Sequence, residues 1–167
     1  MNDAATEGET YVLFRLGEEH YGLPVSSVVS IVRYEAATPV PRSPETVLGV
    51  VNLRGRVLPV IDLGRRLSGR VFEPMLTSRI VVTEGAKGAV GIAVDLASEV
   101  ATFSGESIKP VPEDVLGPDN MHVFVGVVER ADGLVILLNP EEAMPKHDYA
   151  KLTAEASDVL KEEGADV

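Results

Sequence analysis

The sequence predicts a mainly β protein that consists of two small barrels packed against each other. Short apolar runs rich in valine and isoleucine alternate with turn residues along most of the 167-residue chain, which is typical of all-β domains. The same order of strands also occurs twice. Because each copy is too short to form a stable sheet alone, we expect both to curl into barrels and bury their apolar faces together.

A weak internal repeat supports this doubled architecture. The positions that align are Tyr21–Val25 with Val90–Val94, Ile31 with Val100, and Gly49–Val51 with Gly126–Val128. Each Gly-Val-Val segment is followed by a polar turn and a second apolar run, which ends at Asp62 in the first copy and at Asn139 in the second. The repeat therefore predicts two similar sheets within one domain.

The first half of the chain is predicted to contain four strands and two short helical segments. The strands, each bounded by turn residues, are Thr10–Leu16, Tyr21–Leu23, Val47–Val51 and Val57–Ile61. Pro24 is expected to open a short helix, whose apolar positions at helical spacing are Val25, Val28, Val29 and Val32. Three prolines between Ala36 and Pro44 predict a loop or an extended segment. One helical turn is expected at Leu63–Leu67.

The second half is predicted to contain five strands. They are Arg79–Thr83, Val90–Val94, Val100–Phe103, Val123–Val128 and Leu134–Leu138. Glu84–Gly88 and Arg130–Gly133 are expected to be hairpin turns. Asn139 is predicted to cap a helix, because a proline and two glutamates follow it.

The domain is expected to span residues 10–142. Its halves cover about residues 10–78 and 79–142, with strands exchanged between them where pairing requires it. Residues 143–167 form an acidic tail that is predicted to be helical, from the spacing of Tyr149, Leu152, Ala156 and Val159. Three alternatives stay open for this tail: docking on the barrels, docking on a partner, or fraying as a terminal extension.

The composition excludes several classes of protein. A net charge of −11 disfavours binding to nucleic acid or to anionic membranes, which attract clusters of lysine and arginine. The absence of cysteine excludes disulfides, thiolate zinc sites and a cysteine nucleophile. The N-terminus lacks the pattern of a secretory signal, and no apolar run is long enough to cross a bilayer. We therefore expect a cytoplasmic protein that does not insert into membranes.

The residues show no catalytic or metal-binding pattern. The three histidines lack ligand spacing, and Asp62 and Asp95 each end an apolar strand as a polar stop or cap. The glycine-rich segment Gly85–Gly91 lacks the lysine and hydroxyl pair of a phosphate-binding loop and leads into a β pattern. We therefore expect neither an enzyme nor a cofactor or metal site.

The hairpin between the third and fourth strands is the most unusual segment, because its turn carries Arg54 and Arg56 in an acidic chain. Arginine binds a carboxylate through two parallel hydrogen bonds, so a carboxylate within the fold or on a partner is expected here; the alternative is a solvated turn. The corresponding turn of the second copy, Ala131–Gly133, is an ordinary one. Pro59 lies inside the following strand, which predicts that this strand is near an exposed sheet border.

Several motifs together resemble the CheW family of chemotaxis coupling proteins. Asn52-Leu53-Arg54-Gly55 followed by Val57–Leu63 is similar to the family signature, and Tyr21-Gly22-Leu23 is similar to an earlier strand of that family. Gly91–Asp95 and Gly126–Val128 fall where the family has its later strands. The resemblance covers roughly residues 11–142.

This resemblance implies two five-stranded, SH3-like barrels related by a pseudo-twofold axis, in a non-catalytic adaptor without a cofactor. It also implies two partners. One is the regulatory domain of a CheA-type histidine kinase, and the other is the cytoplasmic tip of chemoreceptors, whose helix face would lie in a groove between the barrels. The aliphatic residues expected in this groove are Val28, Val32, Gly49 and Val94. Arg54 is expected at the edge of the groove, in one hairpin with Asn52, Leu53 and Arg56.

One departure from the family pattern concerns Ser30, where many members carry a glutamate that would pair with the hairpin arginine. Either Glu35 or another acid replaces this glutamate, or Arg54 is free to meet an acidic partner. On the second alternative, we expect the protein to serve a divergent array or a chemosensory pathway outside flagellar motility.

Two other functions stay open from the residues alone. One is a barrel module in another assembly, such as a relative of CheV-type proteins without their receiver domain. The other is a small-molecule-binding β-barrel or a hydrolase with an unrecognised site. Recruitment of a histidine kinase would support the adaptor, whereas tight capture of a metabolite would support the last alternative.

Overall fold

A computed structural model describes residues 8–85, 88–112, 122–145 and 149–165. Within these ranges the chain forms ten strands in two five-stranded sheets. Three α-helices accompany them: α1 (Leu63–Ser68), α2 (Pro140–Ala143) and α3 (Tyr149–Ala165). The predicted mainly β fold with two subdomains and a C-terminal helix is confirmed.

The first sheet contains strands from both ends of the domain. In spatial order they are β8 (Leu96–Phe103), β1 (Glu9–Leu16), β2 (Glu19–Pro24), β10 (Gly133–Leu138) and β9 (Phe124–Arg130). All neighbours are antiparallel except β2 and β10, which run parallel. Beyond β8, Lys109 and Val127 of β9 exchange backbone hydrogen bonds of 2.8 and 2.7 Å. Because this bridge joins the two edges of the sheet, we call the closed sheet barrel A.

The second sheet repeats this plan with the middle of the chain. In spatial order its strands are β3 (Val28–Arg33), β6 (Arg79–Gly85), β7 (Gly88–Val94), β5 (Arg56–Ile61) and β4 (Val47–Leu53). The one parallel pair is β5 with β7. Beyond β3, Thr38 and Val50 of β4 exchange backbone hydrogen bonds of 2.8 and 2.9 Å. This bridge closes barrel B.

The internal repeat predicted from the sequence matches the strand pairing. Strands β2, β3 and β4 correspond to β7, β8 and β9, as the alignment requires. The β-bulges of the two barrels also fall at aligned positions. The extra residue is Val29 in β3 and Ser98 in the corresponding β8. It is Leu48 in β4 and Val125 in the corresponding β9. The two barrels therefore share local backbone irregularities as well as strand order.

Neither barrel is built from one half of the chain. Strands β1 and β2 pair with the last three strands in barrel A, while β6 and β7 pair with β3, β4 and β5 in barrel B. The predicted dividing line near residue 78 therefore separates halves of the chain but not the two barrels.

The helix predicted after Pro24 is wrong. Val25–Ser27 form one 3-10 turn, and Val28–Arg33 form strand β3, in which half-buried and exposed residues alternate. Valine and isoleucine favour strands because their branched side chains fit a pleated surface. Pairing with β6 selects the period of two over the helical spacing.

The prediction that the strand around Pro59 lies near a sheet border is also wrong. Strand β5 lies between β4 and β7. Its ladder with β7 engages only Val60 and Ile61. A proline at position 59 therefore removes no hydrogen bond from this ladder, which explains how an interior strand tolerates it.

The largest core cluster lies between the barrels. It joins side chains of barrel A, such as Phe14 and Leu23, to side chains of barrel B, such as Ile61 and Ile92, and all four are fully buried. Each barrel also has its own interior cluster. The barrels thus bury apolar surface against each other, as expected for two units too small to be stable alone.

The acidic tail packs against barrel B. Tyr149 and Leu152 of α3 join the cluster between the barrels, and Ala156 packs with Val40 and Val50. Of the three alternatives for the tail, docking on the barrels is the one observed for this part of α3. The side chain of Val159 lies outside the described residues.

Polar residues end several strands as predicted. Asn139 Oδ1 caps α2 by accepting hydrogen bonds from the backbone N–H groups of Glu141 and Glu142. Asp62 caps α1 through the N–H of Arg65 at 3.2 Å. Asp95 instead joins the barrels, because its Oδ2 accepts a hydrogen bond of 2.7 Å from the N–H of Gly17 in the β1–β2 turn. The turn predicted at Glu84–Gly88 includes residues 86 and 87, which lie outside the described residues.

Candidate partner-binding surface

The β4–β5 hairpin closes with a two-residue turn, Arg54–Gly55. Both residues have positive φ, 54° and 83°, as in a type I′ turn, whose twist matches that of the flanking strands. Leu53 and Arg56 pair across the turn, and Asn52 Oδ1 accepts a hydrogen bond of 2.9 Å from the N–H of Gly55. These contacts hold the exposed Arg54 in one backbone conformation at the tip of the hairpin.

Within the described residues, Arg54 forms no ion pair. Its neighbour Arg56 has an exposed partner, Glu84, at 3.6 Å. Ser30 is half-buried opposite Val82 in the β3–β6 ladder. Of the two alternatives drawn from the sequence, the geometry favours an Arg54 that is available to an acidic partner.

In the equivalent hairpin of barrel A, the arginine is bound to a carboxylate of the same barrel. Arg130 donates two hydrogen bonds to the carboxylate of Glu99, at 2.9 and 3.3 Å, and its guanidinium lies 5.9 Å from the ring centroid of Phe103. The hydrogen bond to Glu99 raises the pKa of Arg130 above its ordinary value. The two hairpins therefore present different chemistry, although each joins its strands through a two-residue turn.

Exposed apolar side chains lie on β3 and on the turn before it. Val29 and Ile31 are 59% and 40% exposed, and Val25 is 43% exposed. Val29 is the extra residue of the β-bulge, and the alternation of half-buried and exposed positions continues through it. We call Val25, Val29 and Ile31 the β3 strip.

The predicted groove residues Val28 and Val32 occupy the alternate positions of β3. Val28 packs at the edge of the cluster between the barrels, and Val32 packs in the interior cluster of barrel B. The sequence reasoning missed Val29 and Ile31 as surface residues because it assumed a helix. In a strand, a shift of one residue changes the face of the sheet, and the β-branched run was the signal that could have identified them.

Gly49 and Val94 were also predicted to face a groove, and the structure corrects both. Val94 is fully buried in the cluster between the barrels. Gly49 is buried with a φ of 148°, and a Cβ atom there would clash with the carbonyl oxygen of Thr38. Neither residue presents a side chain at the surface; both shape the backbone and core behind it.

The hairpin and the β3 strip lie at the same end of barrel B. Arg56 reaches Glu84 near the end of β6, and the residue before it, Thr83, is the ladder partner of Val28. A cationic turn and an apolar strip therefore occur at one end of the same barrel. We call them jointly the candidate surface.

Other kinds of site find no support in the part of the chain that the structure describes. No group of three or more histidine, aspartate or glutamate side chains there could hold a metal ion. Among the described helices, none combines the length and the apolar character needed to cross a membrane.

Comparisons with known proteins agree on one family. The family model for the CheW-like domain matches residues 10–147. A probable chemotaxis protein CheW from Rhizobium etli is 39% identical over 133 residues, covering 80% of this chain and 84% of the relative. The chemotaxis protein CheW of Bacillus subtilis is 36% identical over 139 residues, covering 83% and 88% of the two chains.

A solved structure gives the same answer. The crystal structure of the scaffolding protein TtCheW from Thermoanaerobacter tengcongensis matches with a TM-score of 0.73 and 29% identity, over 84% of this chain and 90% of that chain. These matches favour the adaptor over the small-molecule barrel or hydrolase. The chain therefore belongs to the CheW-like family, a family of scaffold proteins, and acts as a coupling adaptor in chemotaxis.

Proposed function

We propose that this adaptor works without catalysis, by binding the regulatory domain of a CheA-type histidine kinase and the cytoplasmic tip of a chemoreceptor. The proposal places the protein in the cytoplasm, at a receptor array. The observation that carries it is the candidate surface, where an exposed apolar strip and a rigid cationic turn lie at the same end of barrel B.

The β3 strip suits a protein partner. Val25, Val29 and Ile31 each leave about two fifths or more of their surface in water, and its burial on binding would stabilise a complex. Neighbouring exposed apolar residues mark interaction sites, whereas single ones are ordinary. The helical tip of a receptor offers an apolar helix face that fits along such a strip.

Arg54 orients the bound partner from the edge of this surface. A charge at the rim of an interface selects the partner and raises the association rate more than it adds affinity. The turn is already fixed by Asn52 and Gly55, so little backbone freedom is lost on binding. We therefore place the carboxylate that meets Arg54 on the partner.

The kinase requires a second surface, because one surface cannot hold two partners at once. Barrel A offers one at the equivalent place. Val100, which aligns with Ile31, is 57% exposed on the edge strand β8. We assign the kinase contact to strand β8 of barrel A and the receptor contact to the candidate surface of barrel B.

Charge reversal in the two equivalent hairpins tests this proposal. Arg54→Glu is expected to weaken co-sedimentation of the protein with receptor-containing membranes, in the absence of kinase, by about tenfold, a change of about 1.4 kcal/mol. Asp132→Arg, in the turn of barrel A, is the matched control and is expected to leave this binding to receptor membranes within about twofold.

Circular dichroism and thermal unfolding of both variants would show that the fold is retained. Equal binding by Arg54→Glu and the unchanged protein would remove Arg54 from the interface. Normal binding by a Val29→Asp, Ile31→Asp double variant would remove the β3 strip as well and overturn the proposed surface.

A further inference from the structure

Helix α1 follows strand β5 and is fixed to barrel B by Asp62. The N–H of Asp62 donates to the backbone oxygen of Thr46 at 2.7 Å, and its carboxylate caps the helix through the N–H of Arg65. The other carboxylate oxygen accepts a hydrogen bond of 2.7 Å from the N–H of Phe72, beyond the end of the helix. Phe72 packs in the interior cluster of barrel B. Helix α1 is therefore tied to barrel B on both sides.

Arg66, on α1, reaches across to barrel A. Its Nε donates to the backbone oxygen of Ala143 at 2.8 Å, and its Nη2 donates to that of Glu142 at 3.0 Å. Both acceptors lie in the last turn of α2, which follows strand β10 of barrel A. The last carbonyl groups of a helix lack partners within the helix, and a cation beside them is favourable. One guanidinium therefore joins the two barrels through two directed hydrogen bonds.

Arg70, two residues after α1, reaches barrel A at a second place. Its Nη1 donates to Asp95 Oδ2 at 3.0 Å, and the same oxygen accepts a hydrogen bond of 2.7 Å from the N–H of Gly17 in the β1–β2 turn. Arg70 also packs on this turn, since a Cβ atom at Gly17 would lie 2.7 Å from Arg70 Nη1. The guanidinium therefore lies directly on the backbone of barrel A.

Asp95 needs Arg70 as its counter-charge. The side chain of Asp95 is only 2% exposed, and it lies at the crossing from β7 of barrel B to β8 of barrel A. Among the described residues, its other oxygen, Oδ1, has no hydrogen-bond partner. Removing the cation from a buried carboxylate is strongly unfavourable. The contact between Asp95 and Arg70 is therefore held in place while the protein is folded.

From these contacts we infer that Arg66 and Arg70 are positioning residues, which fix the angle between the barrels and thereby transmit receptor control to the kinase. We call them the clamp arginines. This role rests on the function proposed above, which places the receptor on barrel B and the kinase on barrel A. A signal between these partners must then cross the junction of the barrels.

The apolar cluster between the barrels holds them together without defining a single angle. Burial of apolar surface is non-directional, whereas a hydrogen bond weakens steeply when its geometry changes. The clamp arginines act at two separate places, the end of α2 and the β1–β2 turn. Directed contacts at two separate places prevent a rotation that a single contact would allow.

Kinase control separates positioning from binding. With membranes that contain receptor and kinase, the Arg66→Ala, Arg70→Ala double variant is expected to reduce the receptor-dependent change in kinase activity by about fivefold or more, as for the loss of a typical coupling between two sites. Its binding to receptor membranes alone and to kinase alone should each stay within about twofold of the unchanged protein, because neither arginine belongs to a proposed binding surface.

Arg65→Ala is the matched control. Arg65 lies on the same helix, but its ion-pair partner is Glu45 at 3.2 Å, in the segment before β4 of the same barrel. This variant should leave kinase control within about twofold of that of the unchanged protein. Arg70→Lys should retain most of the control that Arg70→Ala loses, because an ammonium group can still pair with Asp95.

The angle between the barrels can be measured directly, since the chain has no cysteine that would interfere with labelling. Spin labels on Leu134→Cys of barrel A and Arg33→Cys of barrel B, both at exposed positions, report the distance between the barrels. We expect a distribution of this distance about twofold broader in the double variant, because more relative orientations become populated. Arg65→Ala should not change it.

Normal kinase control by the double variant, or an unchanged distance distribution, would overturn the inference. Loss of its binding to receptor alone or to kinase alone would overturn it as well, since the clamp arginines would then act by direct contact. Thermal unfolding checks that each variant is folded, and the single variants Arg66→Ala and Arg70→Ala provide the same test if the double variant is not. Failure of the proposed function would appear elsewhere, as normal receptor binding by Arg54→Glu.

Discussion

Barrels A and B share a backbone plan but differ in their hairpins and in what covers them. Arg130 of barrel A is bound to Glu99, whereas Arg54 of barrel B forms no ion pair among the described residues. The bulges and closing bridges are nevertheless equivalent. The comparison teaches that a specialised surface can arise on a duplicated fold through a few turn residues.

The C-terminal helix makes the second difference. Val50 of barrel B is almost fully buried and packs with Ala156 of α3, whereas the aligned Val127 of barrel A is only half-buried. Helix α3 therefore covers an apolar strand face in barrel B, whereas the corresponding face of barrel A stays partly exposed. On barrel B, the β3 strip and the hairpin stay exposed, and they form the surface that we propose for binding.

The largest expected effect concerns the glycines at the closing bridges. Gly49→Ala should destabilise the protein by about 3 kcal/mol or more, because its φ is positive and the new Cβ would meet the rigid carbonyl of Thr38. Gly126→Ala should cost less, about 2 kcal/mol, because Gly126 is not among the glycines with positive φ; its new Cβ would still meet a methyl group of Ile108 at 2.6 Å and the carbonyl oxygen of Lys109 at 2.7 Å. Urea unfolding measures the free energy of unfolding of both variants. A larger loss for Gly126→Ala than for Gly49→Ala would contradict the expected difference between the two barrels.

The helix that covers barrel B gives the next effect. Leu152→Ala should destabilise the protein by about 2–3 kcal/mol, because it leaves a cavity in the cluster between the barrels. Glu155→Ala, on the exposed side of α3, is the control and should change stability by less than about 0.5 kcal/mol. If the two variants unfold at the same urea concentration, α3 does not contribute to the stability of the core.

Buried tyrosines predict a loss of stability at high pH. Burial raises the pKa of Tyr149 to about 12, and an unfolded tyrosine titrates near 10. The folded protein therefore retains a proton that the unfolded chain has lost, so the stabilisation is complete below pH 10 and disappears as the pH rises towards 12. Burial also raises the pKa values of Tyr11 and Tyr21 in barrel A.

Tyr149→Phe isolates the share of α3 in this effect. Between pH 9 and 11, the unchanged protein should lose about 1 kcal/mol more unfolding free energy than the variant. At neutral pH the variant should be about 1 kcal/mol less stable, because it lacks the hydrogen bond of 2.6 Å to the backbone oxygen of Pro145. Parallel pH profiles for the two proteins would contradict the assigned role of Tyr149.

The smallest expected effect compares the surface ion pairs of the two hairpins. Arg130→Ala should cost up to about 1 kcal/mol, because this arginine has two hydrogen bonds to Glu99 and lies near Phe103. Arg56→Ala should cost close to nothing, because its contact with Glu84 is 3.6 Å long and exposed on both sides. Thermal unfolding at low and high salt would distinguish the two pairs.

Strand β3 is a segment whose secondary structure could not be predicted from the sequence. The strands flanking the hairpin were predicted because β-branched runs and turn residues are local signals. The four valines after Pro24 also fit a helix, and only the ladder with β6 gave three of them, Val28, Val29 and Val32, a strand conformation. The choice between helix and strand also decided which residues were predicted at the surface. A helix would direct Val28 and Val32 outward together, whereas the strand directs Val29 and Ile31 outward.

The sequence by itself determined the β class, the repeat, the cap at Asn139 and the cationic turn, because each depends on residues close together in the chain. Tertiary structure alone decided the exchange of strands between the barrels, the burial of Val94 and the docking of α3. These depend on contacts between residues far apart in the chain, and many pairings of apolar strands satisfy the same local pattern. The fold selects the one pairing that lets both barrels close and bury their shared core.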